Sequence, residues 1–533
     1  MLFRRPRATR TRLTASLVGG RLPFPVAAAA AVLGGLGLWL AFPNHDIWWL
    51  APLGIALSAL GARGQRARVA ALLGGLTGLA YFLPLLHWSG VYVGTLPWLA
   101  LSVLESLYVA LLGAALPFAW RTRFAPVAIA GLWVAQEALR DRTPYGGFPW
   151  ARLAFSQEDA PTLHLAALGG APLVSFDVAL AGALVAVALV HLRLPVLGAG
   201  LALSGVAVMA CGLLVPVPTS GRTIQVAGVQ GDVPKAGLDF DTQRAAVLDL
   251  HAKGTQQLAA QVAAGSRPQP DVVIWPENAS DLDPYQQADA HDTIQAAVSA
   301  IGAPTLVGSV LDSPPGKLSN VSIVWDPQSG PGAQYVKRHP VPFGEYIPDR
   351  SFFRRFSDKI DLVPKDFVAG HRVGELQLGP AKVGVAICFE VAYDNLLRDA
   401  VDKGAQLLVV QTNNATFGYT DEASQQLAMS RLRAVEHGRA VAHISTVGIS
   451  ALIAPDGRVI QHSSLFTPAL LQAALPLRTE TTVADRLGGW TELALVLVGL
   501  GGLAAGLARG RRRDGPPSTA AGALSSAPRD EPQ

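Results

Sequence analysis

Long apolar segments alternate with short polar loops before residue 217, and one more apolar segment follows residue 488. A helix that crosses a lipid bilayer needs about 20 predominantly apolar residues. The pattern therefore predicts a bundle of seven membrane-spanning helices within residues 22–216 and an eighth helix near the C-terminus. The predicted ranges are 22–42, 47–62, 69–87, 95–120, 124–139, 168–190, 194–215 and 489–508.

Between these apolar regions, residues 217–488 have the pattern of an ordinary soluble domain. Short apolar runs predict strands, and longer segments with helical periodicity predict helices. The predicted strands are 223–229, 271–275, 304–311, 319–326, 381–387, 406–411, 440–446 and 449–454. The predicted helices are 239–264, 284–301, 393–403 and 422–437. This mixture of strands and helices predicts a layered α/β domain.

Charge placement predicts how the chain crosses the membrane. Only 15% of the 533 residues are charged, whereas soluble proteins carry about a quarter. Arginines collect in alternate loops, and the loop 140–160 is the exception to this alternation. Positive loops face the cytoplasm, so the basic N-terminus 1–21 and the basic, disordered tail 509–533 are predicted to be cytoplasmic. The domain 217–488 is then predicted to be extracytoplasmic.

Several other kinds of chemistry are not expected. Both basic clusters adjoin apolar runs, which is typical of membrane orientation rather than of nucleic-acid binding. The sequence has no CxxC, no HExxH and no histidine cluster, so neither a metal site nor a cofactor is expected. The two cysteines, Cys211 and Cys388, lie in different regions, so no disulfide is predicted. Two acidic residues inside predicted spans, Glu105 and Asp177, are either helix–helix hydrogen-bonding groups or functional groups.

Three reactive side chains follow predicted strands or strand-like segments. Cys388 follows VGVAI, Glu277 stands in VVIWPEN, and Lys337 stands in QYVKRHPVPFGEYIP. Taken singly, each has an ordinary explanation as a small core residue, a surface carboxylate or a solvated ammonium. Together they supply a nucleophile, a base and a cation. Because a free thiol has a pKa of about 8.5, it needs such neighbours to attack a carbonyl at neutral pH.

The spacing of these motifs resembles the nitrilase superfamily, in which a WPE glutamate, a lysine and a CFE-type cysteine form a triad. Together with the eight predicted spans and four further strings, the chain resembles the apolipoprotein N-acyltransferase family over nearly its whole length before the tail. These strings are YGGFPWARLAFSQ (145–157), VQGDVP (229–234), PFGEYIP (342–348) and NNATFG (413–418). The resemblance implies an αββα sandwich on a membrane bundle.

Carried over by motif, the resemblance implies a role for five residues. Glu277 would be the general base, Lys337 the oxyanion stabiliser and Cys388 the nucleophile. Glu345 and Glu390 would be supporting carboxylates. Three differences from many relatives concern the lipid-contacting loops and leave the triad intact. Phe389 replaces a tyrosine, Thr416 stands in a tryptophan position, and GLDFD (237–241) lacks a tryptophan, with Phe240 as its nearest aromatic residue.

The activity implied by the resemblance uses two membrane-anchored substrates. A phospholipid would donate an acyl chain to Cys388, and the N-terminal S-diacylglyceryl-cysteine of an apolipoprotein would accept it on its α-amine. The resemblance implies a monomer in the bacterial cytoplasmic membrane, surrounded by lipid. One alternative is a membrane-tethered nitrilase-type amidase, which would use the same triad to hydrolyse a small amide. Another is a non-enzymatic membrane scaffold or transporter.

Overall fold

The computed structural model describes residues 20–235 and 243–514 of the chain. Residues 1–19, 236–242 and 515–533 lie outside this description. The predictions for the basic N-terminus, for GLDFD with Phe240 and for most of the C-terminal tail therefore fall outside the described residues.

Each of the eight predicted apolar segments contains a helix. The helices are α1 (Phe24–Leu40), α2 (Leu50–Ala62), α3 (Ala67–Leu85), α4 (Thr95–Ala119), α5 (Ala125–Arg140), α6 (Ala166–Val190), α7 (Pro195–Ala210) and, at the end of the described chain, Trp490–Asp514. Large apolar side chains on their outer faces are exposed, among them Leu107, Leu203 and Leu497. An apolar outer surface of this kind suits contact with lipid rather than with water.

The described helices differ in whether they are long enough to cross a membrane. Five helical segments are long and apolar enough: Ala67–Leu85, Thr95–Ala119, Pro161–Val190, Pro195–Leu214 and Trp490–Gly510. Helices α1 and α2 are apolar but shorter, with 17 and 13 residues. Helix α5 has 16 residues and carries the buried polar residues Glu137 and Arg140. The bundle is thus of the membrane type, and the count of eight spans stays a prediction.

Small residues allow the bundle helices to approach closely. A Cβ atom added at Gly113 of α4 would lie 2.4 Å from the carbonyl oxygen of Ala70 in α3. One added at Gly131 of α5 would lie 2.5 Å from the backbone nitrogen of Gly499 in the C-terminal helix. Glycine at such positions is typical of helix pairs in membranes, where packing at short range holds the helices together.

The intramembrane acid Glu105 has an ionic partner. Arg140 of α5 donates from Nη1 to Glu105 Oε2 over 3.1 Å, and the same nitrogen donates to the carbonyl oxygens of Phe148 (3.0 Å) and Trp150 (2.5 Å). The pair therefore links α4 to α5 and fixes the backbone of the loop that follows α5. Glu105 is a helix–helix bonding group, while one carboxylate oxygen of Asp177 is buried without a hydrogen-bond partner among the described residues.

The described residues between 222 and 477 contain twelve strands arranged in two sheets. The strands are β1 (Arg222–Gln230), β2 (Val272–Ile274), β3 (Thr305–Leu311), β4 (Ser319–Asp326), β5 (Gly330–Val336), β6 (Glu375–Leu378), β7 (Ala381–Ile387), β8 (Leu407–Thr412), β9 (Val441–Ser445), β10 (Ala451–Ile453), β11 (Val459–His462) and β12 (Ala469–Leu477). The sheet orders are β12-β1-β2-β3-β4-β5 and β11-β10-β9-β8-β7-β6.

Helices cover the outer faces of both sheets. In chain order the helices after α7 are α8 (Arg244–Ala263), α9 (Ala288–Ile301), the short α10 (Arg350–Phe353), α11 (Asp394–Asp402), α12 (Glu422–His437) and the short α13 (Val483–Leu487); the C-terminal Trp490–Asp514 is α14. Of these, α8 and α9 cover the first sheet, and α11 and α12 cover the second. Helix α9 begins four residues later than predicted because Asp283 holds a turn, accepting backbone N–H bonds from Tyr285 and Gln286.

The core shows the order of the layers. One apolar cluster lies between the sheets and joins Val226 and Ile274 to Val385 and Val409. A second packs α8 and α9 against the first sheet. A third is continuous from the membrane helices through α11 and α12 to the second sheet. The domain is therefore the predicted αββα sandwich, and the bundle packs against the side that carries α11 and α12.

Candidate active site

The three predicted reactive residues follow strand ends and come together between the sheets. Glu277 lies shortly after β2, Lys337 directly after β5 and Cys388 directly after β7. Lys337 Nζ lies 3.1 Å from Glu277 Oε1, and both side chains are almost fully buried. The charges of Glu277 and Lys337 both act on the Cys388 thiol. Sequence-distant strand ends thus deliver a base, a cation and a nucleophile to one place.

Glu345 and Asn320 fix the ammonium and the carboxylate. Glu345 accepts from Lys337 Nζ at 3.0 Å and from the backbone N–H of Val341 at 2.7 Å. Asn320 Nδ2 donates to Glu277 Oε1 (2.7 Å) and to Glu345 Oε1 (2.9 Å). Each charged group therefore has at least two partners, which restricts its side-chain conformation before substrate arrives.

Burial and mutual charge set the protonation of the pair. Burial raises the pKa of Glu277; Lys337 lowers it and Glu345 raises it, and the net pKa lies above that of an ordinary glutamate. Burial lowers the pKa of Lys337, but Glu277 and Glu345 more than offset this, so that its pKa lies above the usual range. Lys337 is therefore a permanent cation, and Glu277 is a carboxylate with increased proton affinity.

Cys388 occupies a strained turn. Its φ of +54° lies in the left-handed region, which is uncommon for a residue with a side chain. The turn begins the short 3₁₀ segment Cys388–Ala392, and the side chain is only partly buried. Burial and the nearby Glu277 raise the pKa of the thiol, whereas Lys337 lowers it, and the net pKa is raised. The resting sulfur is thus a thiol whose attack requires a base.

Glu390 ties the nucleophile turn to the segment that carries Lys337. Its carboxylate accepts from the backbone N–H of Ile387 at 2.8 Å, just before the nucleophile. It also accepts from the backbone N–H groups of Arg338 (2.7 Å) and His339 (3.1 Å) and from the Tyr335 hydroxyl. One buried carboxylate therefore sets the distance between β5 and β7 at their ends, which is a positioning role.

An aromatic cluster from both parts of the chain adjoins the nucleophile. Phe389 stacks on Trp150 with ring centroids 5.7 Å apart and on Phe148 at 5.5 Å. Trp88 contacts Trp150 at 5.2 Å and Phe417 at 5.1 Å. We call these five residues the aromatic cluster. Three of them come from bundle loops, so continuous aromatic packing, most of it buried, connects the membrane region to the residue next to Cys388.

Buried ion pairs hold the bundle in this position. Arg152, in the loop after α5, donates to Asp394 at the start of α11 (2.7 Å), and Arg433 of α12 pairs with the same carboxylate (2.9 Å). Burial opposes ionisation of Asp394, but the two arginines hold its pKa below the usual value. The carboxylate between two guanidinium groups fixes the loop 145–157 against the catalytic face.

Sequence reasoning identified Glu277, Lys337, Cys388, Glu345 and Glu390, and the structure brings all five together. It missed Asn320, Tyr335, Thr412, Glu422 and Gln426, which surround them. A signal was present for the last two, because two polar residues four apart share one face of a helix that is otherwise largely buried. Among the described residues, no group of three or more His, Cys, Asp or Glu side chains could hold a metal ion.

Comparison with known proteins gives the family. The model described as the apolipoprotein N-acyltransferase N-terminal domain matches residues 34–184, and that described as carbon-nitrogen hydrolase matches residues 225–485. The apolipoprotein N-acyltransferase of Mycolicibacterium smegmatis is 42% identical over 504 residues, covering 89% of this chain and 84% of that protein. The chain belongs to the apolipoprotein N-acyltransferase family.

One further relative and one solved structure are also similar to this chain. The apolipoprotein N-acyltransferase of Pseudomonas putida is 31% identical, covering 83% of this chain and 89% of its own. Among solved structures, an amidase from Nesterenkonia sp. is 20% identical and covers 49% of this chain and 93% of its own, with a TM-score of 0.37. Family membership and the apolar helices together make the chain a bacterial membrane protein. An apolar N-terminal part is followed by a hydrolase-like domain, in the order of the two family models.

Proposed function

We propose that this chain transfers an acyl chain from a membrane phospholipid to the α-amine of an N-terminal S-diacylglyceryl-cysteine of apolipoproteins. Cys388 carries the acyl chain as a thioester, Glu277 is the base and Lys337 stabilises the oxyanion. The observation that carries the proposal is the aromatic cluster, which connects the apolar bundle to Phe389 beside the nucleophile. A hydrolase of small soluble amides would have no need of packing between an apolar bundle and its nucleophile.

In the first half-reaction Glu277 takes the thiol proton, and the sulfur attacks the ester carbonyl carbon of the phospholipid. The carbonyl oxygen becomes an oxyanion, which the ammonium of Lys337 stabilises. The carbon–oxygen ester bond then breaks, and the leaving lysophospholipid oxygen takes the proton back from Glu277. The product is a thioester on Cys388, with no metal or cofactor required for the balance of atoms.

In the second half-reaction the free α-amine of the lipoprotein attacks the thioester carbonyl. Glu277 accepts a proton from the amine nitrogen, the carbon–sulfur bond breaks, and the proton returns to the sulfur. Both substrates are anchored in the same bilayer, which raises their effective concentration at an interfacial site. An apolar approach also keeps water from the thioester, so the acyl chain is held until an amine arrives.

The identity of the covalent intermediate tests this function. Enzyme purified with its membrane lipids is expected to carry a hydroxylamine-sensitive adduct of fatty-acyl mass on Cys388, detected by intact-protein mass spectrometry. The adduct should be absent from Cys388→Ala and from Glu277→Ala. A diacylglyceryl-cysteine peptide should discharge it, and acetylation of that peptide's α-amine should prevent the discharge.

A different intermediate would favour hydrolysis. If no fatty-acyl adduct forms and a small amide instead yields a short-lived adduct that water releases, the membrane-tethered amidase is the correct assignment. Loss of activity in Cys388→Ala alone does not separate the two functions, because both pass through the same cysteine.

The side of the membrane that carries the domain is part of the proposal. The arginine alternation supports eight spans with both termini in the cytoplasm and residues 217–488 outside it. A reporter active only in the cytoplasm is expected to function when fused after Arg513 and to fail when fused near Ser280. A reporter that is active when fused near Ser280 and inactive when fused after Arg513 would show the opposite topology.

Glu345 is proposed to hold Lys337 in the position that serves the oxyanion. A hydrogen bond to a charged group contributes about 1.5–3 kcal/mol, so Glu345→Gln is expected to slow thioester formation about 10- to 100-fold. The rate is measured by quenching single turnovers and counting the hydroxylamine-sensitive acyl group. Glu375→Gln is the matched control, because Glu375 pairs with exposed Lys382 at 3.1 Å. Equal rates of thioester formation in both variants would show that Glu345 does not position Lys337.

A further inference from the structure

The sulfur of Cys388 has a neutral hydrogen-bond donor in addition to the charged residues. Gln426 Nε2 lies 3.5 Å from Sγ, a normal separation for a bond to sulfur. Gln426 is fully buried on α12, between the second sheet and the membrane bundle. The triad mechanism assigns it no role, and its effect on the sulfur depends on which end of the carboxamide faces Cys388.

A chain of hydrogen bonds fixes that orientation, starting from a backbone group. The N–H of Gly448 donates to Ser445 Oγ over 2.7 Å, and an N–H can only donate. The Ser445 hydroxyl donates its own proton to Asn414 Oδ1 at 2.5 Å. This leaves the Asn414 Nδ2 group to donate to Glu422 Oε2 (2.6 Å) and to Gln426 Oε1 (3.0 Å).

The oxygen end of Gln426 is therefore occupied on the side away from the nucleophile. Besides Asn414, the hydroxyl of Thr412 donates to Gln426 Oε1 at 2.7 Å. Turning the carboxamide around would break both bonds and would place two donors against its NH₂ group. The NH₂ group is thus held toward the sulfur of Cys388 by four polar side chains and one backbone amide.

We infer that Gln426 is a further catalytic residue, whose amide N–H donates to the Cys388 sulfur and stabilises the thiolate that forms when Glu277 takes the proton. The inference deepens the proposed function and rests on it. Lys337 alone stabilises the thiolate incompletely, because its positive charge is shared with two carboxylates. Gln426 contributes a donor that has no counter-charge of its own.

The charge state of the neighbouring groups is consistent with this role. The ionisable groups that act on the thiol are Glu277, Lys337 and Glu422. Burial raises the pKa of Glu422 to about 8, against the lowering effect of Asn414. At neutral pH Glu422 is therefore largely uncharged, and it holds Asn414 without placing a second full negative charge near the developing thiolate.

The test is a titration of the thiol in the full chain in detergent micelles. Hydroxylamine first removes any acyl group, iodoacetamide then alkylates the enzyme across a range of pH, and mass spectrometry follows the peptide that contains Cys388. Gln426→Met keeps the side-chain length and removes the donor. It is expected to raise the apparent pKa of Cys388 by about one to two pH units and to slow thioester formation at least about 10-fold.

Gln425→Met is the matched control. Gln425 is the adjacent, equally buried glutamine of α12, but its side chain accepts from the indole N–H groups of Trp88 and Trp150 instead of facing the sulfur. Its alkylation profile is expected to match that of the parent enzyme. A rise of the thiol pKa in both variants would show that disturbing α12 is sufficient, and would overturn the inference.

Ser445→Ala is the second variant, and it carries the test if Gln426→Met does not fold. It removes the hydroxyl that sets the donor–acceptor direction of the hydrogen-bond chain, and that hydroxyl does not contact the sulfur. A smaller rise of the thiol pKa is therefore expected. An unchanged profile in the folded variants would make Gln426 purely structural. The titration needs no lipid, so it is separate from the fatty-acyl experiment: absence of the adduct in the parent enzyme would reject the proposed function instead.

Discussion

Replacing Lys337 with methionine is expected to lower the rate of thioester formation by at least about 10³-fold, because loss of one oxyanion donor alone costs about 10²- to 10³-fold. The variant also leaves Glu277 and Glu345 facing each other without the cation between them. Without the ammonium, burial and the charge of Glu345 both raise the pKa of Glu277. A single substitution therefore removes the oxyanion stabiliser and also disfavours the ionised form of the base.

The rate is measured in single turnovers with a phospholipid donor, and folding is checked by thermal unfolding of the detergent-solubilised chain. Lys337→Arg tests whether positive charge alone is sufficient. Arginine is longer and planar, and it cannot occupy a site built around one nitrogen held by two carboxylates. We expect this variant to be severely impaired as well. Near-normal turnover in Lys337→Arg would show that a diffuse charge serves the reaction.

An exposed lysine provides the control for the loss of charge. Lys382 lies on β7, the strand that carries Cys388, and pairs with Glu375 while remaining about half exposed. Lys382→Met changes the net charge of the chain by the same amount as Lys337→Met. It is expected to leave thioester formation unchanged, because an exposed ion pair contributes little and acts at a distance from the sulfur.

Local sequence pattern predicts well two elements beside the candidate site. The strand Ala381–Ile387 and the helix Glu422–His437 have the predicted bounds. The strand is a continuous apolar run that ends at a polar residue. The helix follows a turn and has apolar residues at helical spacing. Strand ends collect reactive groups because the sheet geometry brings them to one edge. Motif spacing then predicted Glu277, Lys337 and Cys388 as site residues without knowledge of the sheet order.

Pairing between distant segments was not predictable in this way. Strand β12 pairs antiparallel with β1, although more than 230 residues separate their positions along the chain. Its sequence, ALLQAALPL, is apolar without a clear period of two, and β6 has only four residues. Such strands are specified by their partners across the sheet rather than by local periodicity.

The site residues that sequence reasoning missed were missed for the same reason, since they depend on contacts between distant segments. Asn320 reaches Glu277 and Glu345 from β4, and Gln426 reaches Cys388 from α12, a helix that packs on the second sheet. Nothing local distinguishes a buried asparagine or glutamine that serves a catalytic group from one that satisfies a backbone carbonyl. The bundle helix α5 also departs from the apolar pattern, because Arg140 and Glu137 bind the loop that leads to the aromatic cluster.

The pH dependence of thioester formation is expected to report the proton affinity of Glu277. The reaction requires this carboxylate to be ionised, so the rate falls as pH falls through its pKa. Burial raises that pKa, Lys337 lowers it, Glu345 raises it, and the net value is raised. The acid limb of the single-turnover profile should therefore lie above the value of about 4.3 for an ordinary glutamate.

Two variants test this expectation, one by shifting the acid limb and one by removing it. Glu345→Gln removes a negative charge that raises the pKa of Glu277, while Lys337 still lowers it, so the acid limb should move to lower pH even as the rate falls. Glu277→Gln cannot accept a proton and is expected to lose about 10²- to 10⁴-fold in rate, together with the acid limb itself. Single turnovers across pH 4–9 measure both effects. An acid limb that persists in Glu277→Gln would assign the proton transfer to another group, and the neighbouring carboxyl of Glu422 would be the first to replace.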